Sequence, residues 1–210
     1  MPLSVLSALA FLLAALAIIS RYRGPAWLHY LTKPLTIVVI VSIALVSPAP
    51  GNEPYKWVIV AGLLASLVGD ICLMLPSDRF IPGLLSFLVA HVLYSAAFWQ
   101  SASDPVATGP LGVYGLYGVF MMRLLWPSLH RLKLPVILYM IALLTMGVLA
   151  TTRYLATPND GTTLAALGAL LFVASDSVLA IDRFRHAFAS AQFFILSTYF
   201  LAQWCLAMSV

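Results

Sequence analysis

Charge is what this sequence has least of. Only 9% of its 210 residues are Asp, Glu, Lys or Arg, while 62% are hydrophobic and the mean hydropathy is +1.01. A soluble domain carries roughly 25% charged residues. This chain has too little polar surface to cover a globule, so its solvent is largely lipid. Cysteine is nearly absent. Cys72 and Cys205 both lie in apolar stretches and read first as small core packers, with a disulfide as the alternative. No basic run interleaved with aromatics occurs, so the net charge of +4 does not point to nucleic acid. The sequence also lacks a Gly-x-Ser-x-Gly elbow, a Walker loop and a dinucleotide fingerprint. A zinc centre needs several His or Cys ligands at one depth. Of the four histidines only His91 lies well inside an apolar run; His29, His130 and His186 fall at connections. Neither a metal nor a cofactor is expected.

What is present is a series of apolar runs. Crossing the hydrocarbon takes about 20 residues per helix, so the chain has room for about eight spans, a single transmembrane domain over 1–210 and no soluble domain. The runs are Leu3 to Ser20, Pro34 to Val46, Trp57 to Leu75, Pro82 to Trp99, Pro110 to Trp126, Pro135 to Tyr154, Thr162 to Ile181 and Phe188 to Met208. The first has no basic residue ahead of it and reads as a permanent span rather than a leader. Pro34, Pro82, Pro110 and Pro135 stand near helix starts, where a missing N–H costs little. Segments 47–52 and 157–161, rich in Pro, Gly and Asn, read as loops. The runs are continuous rather than alternating, which argues for an all-α membrane protein and against a barrel.

Basic residues concentrate in alternate connections. Arg21, Arg23, Lys33, Arg79, Arg131, Lys133, Arg183 and Arg185 share one side, and only Lys56 and Arg153 fall on the other. The positive-inside bias then places both termini outside and the basic connections in the cytoplasm. The sequence also echoes itself. Lys33-Pro-Leu-Thr36 pairs with Lys133-Leu-Pro-Val136. The run Gly69-Asp-Ile-Cys-Leu-Met74 with Asp78-Arg-Phe80 pairs with Ser175-Asp-Ser-Val-Leu-Ala180 and Asp182-Arg-Phe184. This spacing suggests a 4+4 parallel repeat with halves 1–107 and 108–210, related by a pseudo-two-fold axis along the membrane normal.

Five of the seven acidic residues fall in predicted loops, and Asp70 and Asp176 do not. Each lies about six residues inside its helix, roughly 9 Å deep at 1.5 Å per residue. An ionised aspartate at a helix centre costs about 2.5–3.5 kcal/mol on insertion scales, and intramembrane carboxylates mark functional sites by default. If the two converge, one can be a protonated acid and the other an anion, an arrangement suited to a cationic transition state. His91 and Tyr94, at i,i+3 spacing, are candidates to orient a carboxylate or a lipid phosphate; a structural pairing is the competing reading. Tyr199 and Gln203 share a face at i,i+4 spacing and are either interhelical hydrogen-bond partners or contacts to substrate. Lys33 and Arg183 are rim charges that set topology or bind lipid phosphate. Tyr139 fits either role.

These residues resemble the YhhN-like lysoplasmalogenase family of membrane proteins. The similarity rests on Lys33-Pro-Leu-Thr36, Gly69-Asp70-x-x-Leu-Met74 and Phe80-x-x-Gly83-x-x-x-Phe87-x-x-x-His91-x-x-Tyr94. Pro135 with Tyr139, Gly168-x-x-x-Phe172-x-x-Ser175-Asp176-Ser-x-Leu-Ala180 and Tyr199-x-x-x-Gln203 complete it. The resemblance implies hydrolysis of the vinyl ether of lysoplasmalogens to a fatty aldehyde and glycerophosphoethanolamine or glycerophosphocholine. It makes the two aspartates the catalytic candidates, without a metal. The implied partners are a lysophospholipid and the bilayer. Two rivals remain from the residues alone: a proton-coupled lipid or small-molecule transporter using paired aspartates, and an intramembrane aspartyl protease, whose Pro-Ala-Leu signature is missing here. The oligomeric state is left open.

Overall fold

Helices follow the apolar runs. The computed structural model describes residues 2–48, 52–75, 79–100 and 106–210, and among them are eight α-helices and no strand. They are α1 (Leu3–Arg23), α2 (Ala26–Val46), α3 (Glu53–Met74), α4 (Phe80–Gln100), α5 (Thr108–Leu125), α6 (Lys133–Ala156), α7 (Asp160–Phe184) and α8 (Ala191–Met208). Two short 3-10 turns, Trp126–Ser128 and His130–Leu132, lead from α5 into α6. Asp78 of the repeat comparison and residues 49–51 of the first expected loop lie outside the described residues.

The clearest departure from expectation is α2. It begins at Ala26, so Pro34 sits inside the helix rather than at its start, and His29 and Lys33 are helical rather than in a connection. An interior proline loses one backbone hydrogen bond, but membrane helices tolerate it when neighbours re-satisfy the freed groups. Trp27 and Leu31 are exposed on this early stretch. By contrast α7 starts where a capping box predicts. The Asn159 side chain accepts from the Thr162 N–H, and the Thr162 hydroxyl accepts from the Asn159 N–H.

Seven of the eight helices are long and apolar enough to cross a membrane. The exception is α5, whose Gly109, Gly112, Gly115 and Gly118 dilute its hydropathy. It still exposes Val113, Leu116 and Phe120, with Leu116 76% exposed. The polarity of the whole is that of a multi-pass membrane protein. Large apolar side chains such as Leu12, Ile19, Leu85 and Leu134 face outward, and Thr36, Ser66, Asp70, His91, Ser175 and Gln203 are buried. With lipid outside, burial of apolar area does not drive assembly, and close packing and interhelical hydrogen bonds do. A Cβ on Gly62 would lie 2.3 Å from the Tyr94 ring, and one on Gly69 would lie 2.6 Å from Phe87. These two glycines let α4 pack directly on α3.

The neighbour relations among α1–α4 recur among α5–α8. α1 packs on α2, α2 on α3 and α3 on α4, as α5 packs on α6, α6 on α7 and α7 on α8. Across the middle, α2 meets α8 and α6 meets α4. At the end of the bundle away from the aspartates, the Tyr55 hydroxyl of α3 pairs with Ser209 Oγ, just past α8, at 2.7 Å. The Arg153 guanidinium of α6 lies 4.5 Å from the Tyr55 ring centroid.

Candidate active site

Asp70 stands four residues before the end of α3 and is 2% exposed. Lys33 reaches it only because α2 starts early enough to carry that residue inside the bundle. Lys33 Nζ is 2.9 Å from Asp70 Oδ1. The Tyr199 hydroxyl of α8 donates to Asp70 Oδ2 at 2.6 Å, and Gln203 Nε2 donates to the Tyr199 oxygen at 3.1 Å. The Tyr94 hydroxyl donates to Gln203 Oε1 at 2.9 Å, with Ser66 Oγ 3.4 Å away. Thus α2, α3, α4 and α8 are tied by one buried polar chain that ends on a paired carboxylate. Tyr94 and Gln203 are members of that chain, and both are fully buried.

Asp176 stands eight residues before the end of α7, deeper than Asp70 from its own helix end. Its side chain is 11% exposed. The Tyr139 hydroxyl of α6 donates to Asp176 Oδ2. His91 Nε2 is 4.0 Å from the same oxygen. No Lys or Arg among the described residues lies within ion-pair distance of Asp176. His91 is fully buried, and neither ring nitrogen has a hydrogen-bond partner among the described residues. Its ring meets Tyr139 and Phe172 edge-on, with centroids 5.2 and 4.7 Å apart.

Aromatic rings separate the two carboxylates. Phe172 lies 5.5 Å from Tyr199, the Asp70 partner, and Phe87 lies 5.9 Å from Tyr199 and 6.2 Å from Phe172. Of the two carboxylates, Asp176 is the one that borders the cavities formed here by the described residues. It lines two small cavities of about 50 Å³ each, which share Val136, Tyr139, Asp176 and Ala180 as a common wall. The first runs past Leu84 and Phe87 to Arg183. The second runs past Tyr117 and Ser177 to Met140 and Leu144. Asp70 lines neither. The Arg183 guanidinium lies 4.1 Å from the Phe80 ring centroid in the first cavity, seven residues along α7 from Asp176.

The structure therefore brings Tyr139, Asp176 and Arg183 around one space, with His91 buried behind Asp176. It gathers Lys33, Asp70, Tyr94, Tyr199 and Gln203 into a sealed network beside it. Sequence reasoning missed four contributors: Phe87, Phe172, Tyr117 and Ser177. Two of these carried a signal, since Phe87 and Phe172 each precede a site residue, His91 and Asp176, by one helical turn. Such a residue lies on the same helix face. Ser177 stood inside the Ser175-Asp176-Ser motif without a role of its own, and Tyr117 carried no signal.

The sequence profile of the YhhN family matches residues 28–210. The chain belongs to the YhhN family. It is 36% identical over 186 residues to the rat protein named lysoplasmalogenase TMEM86B, covering 88% of this chain and 74% of that one. The human protein of that name is 33% identical, covering 88% of this chain and 76% of its own. The membrane protein YhhN of Escherichia coli O6:H1 is 26% identical over 197 residues, 94% of each chain. No solved structure matches the chain. Every candidate site residue, from Lys33 to Gln203, falls inside the YhhN match, while α1 lies ahead of it.

Proposed function

We propose that this YhhN-family protein is a membrane-embedded lysoplasmalogenase-type hydrolase in which Asp176 is the proton donor and Asp70 the fixed anion. The observation that carries this reading is the unequal partnering of the two carboxylates. Asp70 is ion-paired with Lys33 and lines neither cavity, whereas Asp176 lines both with a tyrosine donor and, among the described residues, no cation within ion-pair distance; Arg183 stands at the far end of the first cavity. Mostly apolar walls and a cation no nearer than the far end of the cavity disfavour a bare carboxylate, so Asp176 holds its proton. The names of the mammalian relatives supply the substrate class.

A vinyl ether is opened by protonation. Asp176 gives its proton to the β-carbon of the O–CH=CH unit, and the electron pair of the double bond forms the new C–H bond. The positive charge rests on the oxocarbenium O=CH. Water adds to that carbon, and its proton returns to the Asp176 carboxylate. The hemiacetal then collapses to a fatty aldehyde and the glycerophospho alcohol. Tyr139 holds the Asp176 carboxyl in one orientation. His91, 4.0 Å from it with both ring nitrogens unengaged by protein, is placed to hold the attacking water. Asp70 compensates Lys33; without it an unopposed ammonium would stand beside a developing cation. Arg183 takes the phosphate of the head group.

The test is release of free aldehyde from purified protein and a lysoplasmalogen, lost in the Asp176→Asn variant. A folded wild-type protein that releases none would sink the reading and favour a transporter. Nothing in the scheme calls for a Lewis acid, so turnover should survive prolonged chelation. The positive-inside bias supports a cytoplasmic site: reporter fusions at Val210 should lie outside, and fusions near Arg131 should lie inside. The halves 1–107 and 108–210 are taken as parallel repeats. Lys33 and Tyr139, Gly62 and Gly168, and Asp70 and Asp176 each stand 106 positions apart.

A further inference from the structure

Resting on the reading of Asp176 as the proton donor, we propose that the hydrocarbon chain of the substrate lies in the groove between α5 and α6. This places the lipid with its head at Arg183 and its tail alongside the glycine face of α5. The second cavity at Asp176 ends on Met140 and Leu144, and these two residues also line a separate open groove of about 810 Å³. That size lies within the roughly 300–1,000 Å³ of ligand pockets. The groove is continued by Gly115 and Gly118 and reaches Trp99.

Three features fix the direction. First, the groove follows α6 from Ile137 to Leu149, about 18 Å at 1.5 Å per residue, the reach of a long extended fatty chain. Tyr139, the hydrogen-bond partner of Asp176, stands at its near end. Second, Arg183 lies on the other side of Asp176, two helical turns away along α7, or about 10 Å. Head and tail therefore leave Asp176 in opposite directions, as they must when the scissile bond joins chain to glycerol. Third, the alternative exit is closed. A groove between α5 and α7 shares Tyr117 with the Asp176 cavity, but the Tyr117 hydroxyl meets Ser177 Oγ at 2.6 Å across that gap. Of the two glycines, Gly118 lets Leu144 of α6 pack close to α5, and Gly115 faces the open groove. A Cβ on Gly118 would come within 2.6 Å of Leu144 Cδ1, and one on Gly115 would meet nothing within 4 Å.

Gly115→Leu is the decisive variant, because it fills the groove without touching the fold. With long-chain lysoplasmalogen its KM should rise at least about ten-fold, while a short-chain analogue that ends before Gly115 keeps its kcat and KM. Equal loss on both chain lengths, or no loss on either, would overturn the proposal. A second arm needs no turnover. A 1-O-alkyl lysophosphoethanolamine carrying a terminal diazirine should label α5 and α6 within 115–149, in competition with unlabelled lysolipid and less in Gly115→Leu. Labelling of Leu167 or Leu170 in the α5–α7 groove, or uncompeted labelling of the outer helix faces as by bulk bilayer lipid, would overturn it. If labelling behaves as expected but wild type releases no aldehyde, the chain site stands and the hydrolase reading falls.

Discussion

Asp70 and Asp176 stand 17 and 16 residues from the starts of α3 and α7, though Asp176 lies deeper from its helix end, and the helices around them repeat their neighbour relations. Their partners differ: Asp70 accepts from Tyr199 of α8, while on the Asp176 side His91 of α4 stands 4.0 Å away, and the partner from the preceding helix differs in charge. The residue that reaches across from the preceding helix is Lys33 in one half and Tyr139 in the other, again 106 positions apart. A lysine turns its aspartate into half of an ion pair, and a tyrosine leaves its aspartate able to carry a proton. On the proposed reading, two similar helix settings give their aspartates opposite roles through the neighbour, with the acidic residue itself unchanged.

The sharpest way to break this comparison is to make the two sides alike. Tyr139→Lys should pair Asp176 with a cation and remove the proton donor, as Asp176→Asn does directly. Both should lower aldehyde release by at least about 10²-fold, with folded protein recovered by size-exclusion chromatography. An active Tyr139→Lys enzyme would mean that the partner does not set the role.

A stability experiment tests the other side. Asp70→Asn leaves Lys33 as an uncompensated buried charge, and breaking such a pair costs about 3–5 kcal/mol. Replacing both, as Asp70→Asn with Lys33→Met, should recover most of the melting temperature in detergent and part of the turnover. If the double variant melts no higher than the single one, the ion pair is not what holds Asp70 in place.

Smaller effects separate the two tyrosines. Tyr139→Phe should reduce kcat about ten-fold by releasing the Asp176 carboxyl, a change of about 1–2 kcal/mol. Tyr199→Phe should lower the melting temperature and change kcat less, because its hydroxyl serves the sealed network. Equal kinetic effects would erase the distinction. Smallest of all, Arg183→Gln should raise KM for the lysolipid several-fold, about 1 kcal/mol for one charge-assisted phosphate contact, and leave kcat near its wild-type value.

The helices were legible in the sequence because membrane spans need long uninterrupted apolar runs, and all eight runs correspond to helices. The start of α2 was misread. Pro34 marks helix starts in water, and inside a bundle its missing N–H is tolerated. That one shift decides the site, since it turns Lys33 from a rim charge into the Asp70 partner. The aspartates themselves were legible as costly residues in apolar surroundings. Their inequality was not, because it depends on which side chain arrives from α2 and which from α6. Tyr94 and Gln203 are candidates from spacing alone, and in space they bond each other. The cavities at Asp176 are formed by residues of α3, α4, α5, α6 and α7, and no local pattern encodes such a space.

The pairing of Tyr55 with Ser209 and the stacking of Arg153 on Tyr55 have a mechanical consequence. They clasp α3, α6 and the end of α8 together at the end of the bundle opposite the aspartates, and α5 takes no part. The molecule is bound like a book along that spine, with α5 as its loose leaf. Amide hydrogen exchange should be slowest in α3 and α8 and fastest in α5, the ordering expected when cooperative opening begins where contacts are fewest. Cutting the clasp with Tyr55→Phe should speed exchange in α3 and α8 and leave α5 unchanged.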